Sequence, residues 1–448
     1  MKDIIDLDIE ALDDQARGVA TRDGRRFFIE GALPGERVRA AIERAKPNYA
    51  VGGVRSVLRA SPHRVEPRCP HFGVCGGCTL QHIDAATQVA LKQRELEDLF
   101  ERTAGLATVR ILPALQGPDW AYRHRARLAV RFVPSRGGVL LGFHERKRSF
   151  VADIRVCHVL PAAVSDLLEP LHRLVAGLSI PHRIPQIEVA VGGDGLIVLV
   201  LRHLLELTGG DRDRLRAFAA RHGIVWWLQP GGPDTAAPLD ACAAHPGAEG
   251  GTKRRALAYG LPRFGLNMRF RPTDFIQANI VANRALVSRA LDLLEAGRGD
   301  RVMDLFCGLG NFTLPIATQA KEVLGVEGSA ALLERARQAA TDHGLEGRAH
   351  FACTDLFSVD VHWLRAQGRF DRMLLDPPRE GARALAEALA ALNTAERPRR
   401  IVYVSCNPAT LARDAAILAH RGGYRLKACG VVNMFPHTSH VESVSVLE

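Results

Sequence analysis

No stretch of the 448-residue chain approaches the roughly 18 consecutive apolar residues that a membrane-spanning helix requires. Its start, Met1-Lys-Asp-Ile-Ile-Asp6, lacks the basic-then-apolar order of a secretory signal. A cytoplasmic location with no membrane partner is therefore the expectation. In that compartment nine cysteines are not expected to pair as disulfides, so each is read as metal-bound, catalytic or buried. Neither apolar nor charged residues are scarce: 47% and 24% are globular values, and the length allows two to four domains.

The charge balance is basic, 59 Lys+Arg against 49 Asp+Glu, which favours a polyanionic partner without proving one. Its distribution is uneven. Residues 1–14 carry six acids, Asp3, Asp6, Asp8, Glu10, Asp13 and Asp14, whereas residues 110–150 carry nine Lys/Arg and only Asp119 and Glu145. Arg123, Arg125 and Arg127 alternate, so on a strand they share one face. A solvated sheet face and an RNA-facing stripe explain that alternation equally well.

Residues 1–60 read as a small all-β module: short apolar runs (26–29, 36–40, 49–51, 53–57) separated by Gly and Pro turns. They resemble a TRAM domain, an OB-like barrel that binds RNA. Next comes Cys69-x5-Cys75-x2-Cys78, with Gly76 and Gly77 letting the backbone wrap closely around a metal. Cys157 is the nearest later candidate for a fourth ligand. Four thiolates suit zinc or an iron–sulfur cluster. The chain has no second C-x2-C knuckle, which tilts the choice toward iron–sulfur, and no C-x3-C-x2-C of radical enzymes.

Residues 84–104 have helical spacing with Asp84 as N-cap, and 61–270 otherwise read as a mixed α+β central domain. Strands are expected at 127–133, 187–191 and 196–201, and helices near 162–177 and 210–222. The Gly/Pro/Ala-rich stretch 229–251, with Cys242, reads as a loop without assigned function.

Residues 271–448 read as a doubly wound, Rossmann-like α/β domain. A helix at 281–296 is followed by strands at 301–305, 322–327, 350–355, 370–376, 401–405, about 424–432 and 441–447. Gly308-x-Gly310 between a strand and a helix permits close backbone approach to a ligand. The third glycine of the dinucleotide fingerprint is missing, which disfavours pyrophosphate. Glu327, Asp355 and Asp376 end three consecutive strands, at the rim where open α/β sheets bind ligands. The first suits a ribose diol, the second an adenine edge, and the third stands beside a transferable group. Cys406 ends the next strand, before Asn407-Pro408, which stops the strand. A buried strand-end cysteine is the plain alternative there.

Asp304-Leu-Phe-Cys-Gly-x-Gly-Asn-Phe312, Phe275-x-Gln277-x-Asn279, Leu375-Asp-Pro-Pro-Arg-x-Gly381, Ser405-Cys-Asn-Pro408 and His440-Val-Glu-Ser443 together resemble the bacterial RNA uracil-5-methyltransferases. With the N-terminal module and the four cysteines, the chain is most similar to the iron–sulfur type that acts on 23S ribosomal RNA. The resemblance covers nearly the whole chain, with least support in 229–251. It implies S-adenosylmethionine bound by Gln277, Phe306, Asn311, Glu327, Asp355 and Asp376. It also implies Cys406 as nucleophile, Glu442 as base, and a 4Fe–4S cluster on Cys69, Cys75, Cys78 and Cys157. By the same resemblance part of 84–115 packs with the catalytic domain; a monomer is the expected state. The competing expectations are a uridine in another RNA such as transfer RNA, an amine methyltransferase with an Asp/Asn-Pro-Pro-aromatic motif and no thiol, and a non-catalytic RNA-binding assembly factor.

Overall fold

The computed structural model describes residues 3–107, 110–146, 148–240 and 256–448. Cys242 and residues 241–251 of the 229–251 stretch lie outside the described residues, as does Lys147 of the basic segment.

The first module is a curled six-stranded sheet: β1 (Ile4–Asp8), β2 (Ala11–Leu12), β3 (Arg17–Arg22), β4 (Arg25–Glu30), β5 (Arg37–Ala45) and β6 (Tyr49–Arg59), in spatial order 1-5-6-4-3-2. Alternate residues face inward, and Leu7, Phe27, Ile29, Val38 and Ala50 fill its core. Three register shifts between β5 and β6 bend the sheet. Two features differ from the sequence reading. The acidic start forms an edge strand, and 49–57 is one strand rather than two. Gly52 does not break that strand: a Cβ there would strike the Ala41 carbonyl, so glycine lets β5 cross β6 closely. The fully buried Glu36 accepts from Leu33 N, Ser61 N and Arg64 Nε at 2.8, 3.2 and 2.6 Å, which fastens the module to the segment after it.

Helix α1 (Ala85–Asp98) is capped by Asp84, which accepts from Thr87 N, and widens into a π-turn over Leu99–Thr103. The central sheet contains β7 (Arg125–Val133), β8 (Gly138–Gly142), β9 (Gln186–Val191), β10 (Ile197–Arg202), β11 (Val225–Gln229) and β12 (Ala237–Pro238), in order 12-11-10-9-7-8. Short α2 (Ala162–Ser165), then α3 (Leu168–Ala176) and α4 (Gly209–His222), supply apolar faces to its core. Arg125 and Arg127 do share a side, and both pair with the buried Glu188, at 3.5 and 3.1 Å. That pairing supports an ion-paired sheet face more than a free cationic stripe.

The hairpin β13 (Ala258–Leu261) and β14 (Leu266–Arg269) enters the same core as α5 (Ile280–Leu294). The last sheet is built from β15 (Arg301–Leu305), β16 (Glu322–Glu327), β17 (Ala349–Cys353), β18 (Arg372–Leu375), β19 (Arg400–Ser405), β20 (Leu426–Val432) and β21 (Glu442–Leu447). Their spatial order is 17-16-15-18-19-21-20, and β21 alone runs antiparallel to its neighbours. Helices α5, α6 (Thr313–Ala317) and α7 (Ala330–Asp342) cover one face; α8 (Val361–Ala366), α9 (Arg383–Ala390) and α10 (Pro408–His420) cover the other. Val89, Leu96 and Phe100 from helix α1 and its π-turn join that second layer. No helix among the described residues is long and apolar enough to cross a membrane.

Residues 110–115 run along the outer edge of β20. Leu112 N donates to Cys429 O at 2.7 Å and Cys429 N to Arg110 O at 3.0 Å, so the edge strand is covered rather than open. A Cβ on Gly430 would lie 2.7 Å from Leu112 Cβ. Gly430→Ala is expected to lift the strap and destabilise the protein by about 1–3 kcal/mol, the usual cost of overpacking, measured by urea denaturation.

Candidate active site

The parallel register aligns strand ends along one rim. Leu305 pairs with Val326 on one side and Leu375 on the other, so Phe306, Glu327 and Asp376 follow at the same level. Glu327 in turn pairs with Cys353. At the other end of the sheet Ser405 pairs with Ser443 in antiparallel register. Cys406 follows the first serine and Glu442 precedes the second, so nucleophile and base candidates stand opposite each other at the C-terminal rim of β19.

The turn after β15 is strained where a ligand would lie. Phe306 has φ 64°, an uncommon conformation for an aromatic residue, followed by Gly308 at 54° and Gly310 at 84°. Gly308 N and Ser329 N donate to the two oxygens of Glu327, at 3.2 and 3.0 Å, and leave the carboxylate with acceptor capacity. Asn311 is held by Tyr259 Oη and Asn283 Nδ2, both 2.9 Å from its Oδ1. Asp355 lies two residues past the end of β17, is exposed, and accepts from Phe357 N and Ser358 Oγ. Gln277 is half-buried in the segment before α5, beside Phe275, which is 76% exposed.

Phe357 was not singled out in the sequence. Its ring is 52% exposed and lies 5.7 Å from that of Phe306. An aromatic in the polar turn after β17 was the available signal.

Around Cys406 the backbone is tightly specified. Ser405 Oγ accepts from Asn407 N at 3.1 Å, and Asn407 caps α10 through Ala409 N with Pro408 in the first turn. Asn407 Nδ2 donates to Arg379 O at 2.9 Å, tying the turn to the Asp376-Pro-Pro-Arg379 loop. Arg379 Nη2 donates to His440 Nδ1 at 3.0 Å. Burial first, with the Arg379 charge beside it, lowers the imidazole to about 4, so His440 is a neutral acceptor.

Burial dominates the acid–base chemistry. It pushes the Cys406 thiol up to about 11; the Glu442 and Asp376 charges add to that and Arg379 opposes it. Burial raises Glu442 to about 8, with Asp376 adding and Arg379 opposing, and raises Asp376 to about 7. Asp304, beneath the glycine turn, is fully buried. Its Oδ2 accepts from Thr313 Oγ1 and its Oδ1 has no partner; burial lifts it to about 7.

The four sulfur candidates come together elsewhere. Cys69, Cys75 and Cys78 are half-buried and Cys157 is buried, and all four line one cavity with Phe72, Phe143, Ile154 and Val159. Burial pushes Cys75 up to about 11 and Cys78 to about 12; hydrogen bonds with Gly77 and Gln81 oppose this, and the Cys157 and Cys69 charges add to it. No carboxylate lines that cavity. Among the described residues no group of three or more His, Cys, Asp or Glu stands where it could hold a single metal ion. His71, His158, Gln81 and Arg123 also line the cavity, and its four thiols fit a thiolate-held group.

The buried acids have a consequence for stability. Asp304 has a folded pKa of about 7 against 3.8 for the free side chain, so between those values the folded protein holds a proton that the unfolded chain has released. Stability therefore falls as pH rises through that window. Asp304→Asn is expected to flatten the decline in melting temperature between about pH 4 and 7, followed by differential scanning fluorimetry.

Residues 296–425 match a family described as a methyltransferase domain, and residues 3–54 match the TRAM domain. The chain is 63% identical over 442 residues to the 23S rRNA (uracil(1939)-C(5))-methyltransferase RlmD of Bordetella avium strain 197N, covering 99% of this chain and 90% of that protein. It is 54% identical over 454 residues to the RlmD of Ralstonia pickettii strain 12J, covering 99% and 98%. In structure it resembles the tRNA (uracil-54, C5)-methyltransferase of Pyrococcus abyssi, solved with S-adenosyl-L-homocysteine. The TM-score is 0.69 at 22% identity over 99% of this chain and all of that one, a likeness of fold. Such identity over nearly the whole length, with a TRAM domain before a methyltransferase domain, shows that the chain belongs to the 23S ribosomal RNA (uracil-C5)-methyltransferase RlmD family.

Proposed function

We propose that this chain transfers a methyl group from S-adenosylmethionine to C5 of a uridine in 23S ribosomal RNA, with Cys406 as nucleophile and Glu442 as base. The observation that carries the reading is the Ser405–Ser443 register, which sets the thiol and the carboxyl opposite each other beside Asp376. Residues 1–60 would serve as an RNA-binding module, 61–270 as a central domain and 271–448 as the catalytic domain.

Uracil C5 is a weak nucleophile. Addition of the Cys406 thiolate to C6 converts the C4–C5 unit into an enolate, whose C5 takes the methyl group; this covalent route divides one difficult step into easier ones. Glu442 then accepts the C5 proton, the C5–C6 double bond reforms and Cys406 departs as thiolate. S-adenosylmethionine supplies the methyl group and a sulfonium charge, which favours the anionic forms of Asp376, Glu442 and Cys406. Glu327 has acceptor capacity for a ribose diol and Phe306 a ring face for adenine. Asn311, Asp355, Gln277 and Asp376 complete the set around the cofactor. The target uridine must leave its stack to reach the rim. An amine methyltransferase is less well supported, because Arg379 occupies the aromatic position of that motif and is engaged with His440.

Cys69, Cys75, Cys78 and Cys157 are proposed to hold a 4Fe–4S cluster whose role is to brace the central domain. Cys157 comes from far along the chain, so its ligation closes a long loop. Protein purified without oxygen is expected to carry about four irons and four sulfides per chain. Cys157→Ser is expected to lower metal content and melting temperature together. Stoichiometric zinc without visible absorbance would reject the cluster, and full metal content in the variant would reject the fourth ligand.

Cys406→Ala is expected to abolish methylation while S-adenosylhomocysteine and RNA still bind. Glu442→Gln is expected to lose about 10²–10⁴-fold in turnover and to accumulate methylated RNA joined to Cys406, seen as a shifted band on denaturing gels. Turnover by Cys406→Ala would overturn the covalent mechanism. Normal activity without a band in Glu442→Gln would overturn the base.

A further inference from the structure

Residues 433–441 join β20 to β21 and lead directly into Glu442, carrying Phe435 and His440. The segment has contacts of its own, Thr438 Oγ1 donating to Phe435 O at 2.9 Å and His440 N to Thr438 Oγ1 at 3.3 Å, but its other anchors lie elsewhere in the chain. His437 sits at φ 65°, a strained backbone for a non-glycine residue that persists only where the surroundings enforce it. Those surroundings come almost entirely from earlier in the chain. Gln88 grips His437 twice, accepting from its backbone N at 2.8 Å and meeting its Nδ1 at 3.2 Å. Thr79 N and Leu80 N, just past Cys78, donate to His437 O at 2.8 and 2.9 Å. Trp120 stacks on the His437 ring at 3.9 Å, and Tyr122 Oη donates to Pro436 O at 2.9 Å. Lys92 Nζ donates to Asn433 Oδ1 and Phe435 O, both at 2.9 Å.

Lys92 is the unusual member. It is 2% exposed, donates to neutral acceptors and makes no ion pair among the described residues; burial lowers it to about 8 even though the Glu95 and Asp119 charges favour its ammonium. A buried ammonium with no carboxylate in direct contact is costly, and a neutral amide would suffice for a purely structural clamp. Its position is informative: the charge bears on His440, which meets Arg379 and, through it, the rim of Cys406 and Glu442.

We propose that Gln88 and Lys92 of α1 are positioning residues for uracil methylation: they hold the 433–441 segment, and with it Phe435, His440 and Glu442, in the geometry that proton abstraction from C5 requires. The proposal rests on Glu442 acting as base. Misplacing a base by about 1 Å costs on the order of 100-fold, and the loss falls on the step after methyl transfer rather than on binding.

The test is carried out on the full-length protein with a 23S ribosomal RNA fragment and S-adenosylmethionine, comparing Lys92→Met and Gln88→Glu with Glu442→Gln. Lys92→Met keeps the length of the side chain and removes its donors; Gln88→Glu keeps the acceptor and removes the donor. In both, kcat is expected to fall about 10- to 100-fold with KM for RNA and for S-adenosylmethionine within about twofold. The methylated protein–RNA adduct is expected to accumulate, as in Glu442→Gln. If Lys92→Met does not fold, Gln88→Glu carries the same comparison. A uniform loss of the methyl-transfer burst and of melting temperature with no adduct, or unchanged turnover, would overturn the positioning role while Glu442→Gln still traps RNA. Failure of Glu442→Gln itself to trap RNA would overturn the base assignment and this proposal with it.

Discussion

The insertion of β21 in antiparallel sense between β19 and β20 is the constraint on which the candidate site depends. Five parallel strands alone would place Phe306, Glu327, Asp376 and Cys406 along one rim, with Asp376 as the carboxyl beside Cys406 and no second one opposite it. Pairing Ser405 with Ser443 brings Glu442 to that rim from the opposite chain direction. A slip of one residue would turn β21's side chains to the other face of the sheet and remove the carboxyl from the thiol. The register is therefore guarded on both sides, by Val402–Val446 and Val404–Val444 pairs in the core and by the 110–115 strap that closes the β20 edge.

Electrostatics at the rim run against stability. Asp304, Asp376 and Glu442 are all raised by burial, and Arg379 is the cation that opposes the rise at Glu442 and Cys406. A chain selected for stability alone would not bury these acids with so little compensation. Local rules are commonly broken where a site needs charge that a bound ligand will later neutralise. Backbone strain is found there too: Phe306, directly after β15, and His437, in the segment leading into Glu442, both have positive φ.

The modules are fastened to one another by hydrogen bonds as well as apolar contact. Helix α1 belongs by sequence to the region of the four cysteines, yet Val89, Leu96 and Phe100 from it and its π-turn complete the layer over the last sheet. The turn after Cys78 meets His437 through two backbone donors. The thiol-lined cavity and the candidate site are thus joined through a few residues of hydrogen-bonded backbone.

The sequence alone determined the strands and turns of the last sheet, because their signals are local: apolar runs, Gly308-x-Gly310, and Asn407-Pro408 ending β19. It also singled out the residues at those strand ends, since acids and a cysteine at successive rims are legible as spacing. The acidic edge strand β1 escaped notice because Asp6 and Asp8, interleaved with Ile5 and Leu7, give it an acidic rather than an apolar character. Arg125 and Arg127 were ambiguous because Glu188, their partner, lies far along the chain on a neighbouring strand. What only the tertiary structure decided is which distant groups meet. Nothing around Lys92 marks it as more than a helical lysine, since its partner Asn433 is 341 positions away. Nor could spacing show that Cys406 faces Glu442, because antiparallel insertion of β21 is a property of the folded sheet and not of either strand.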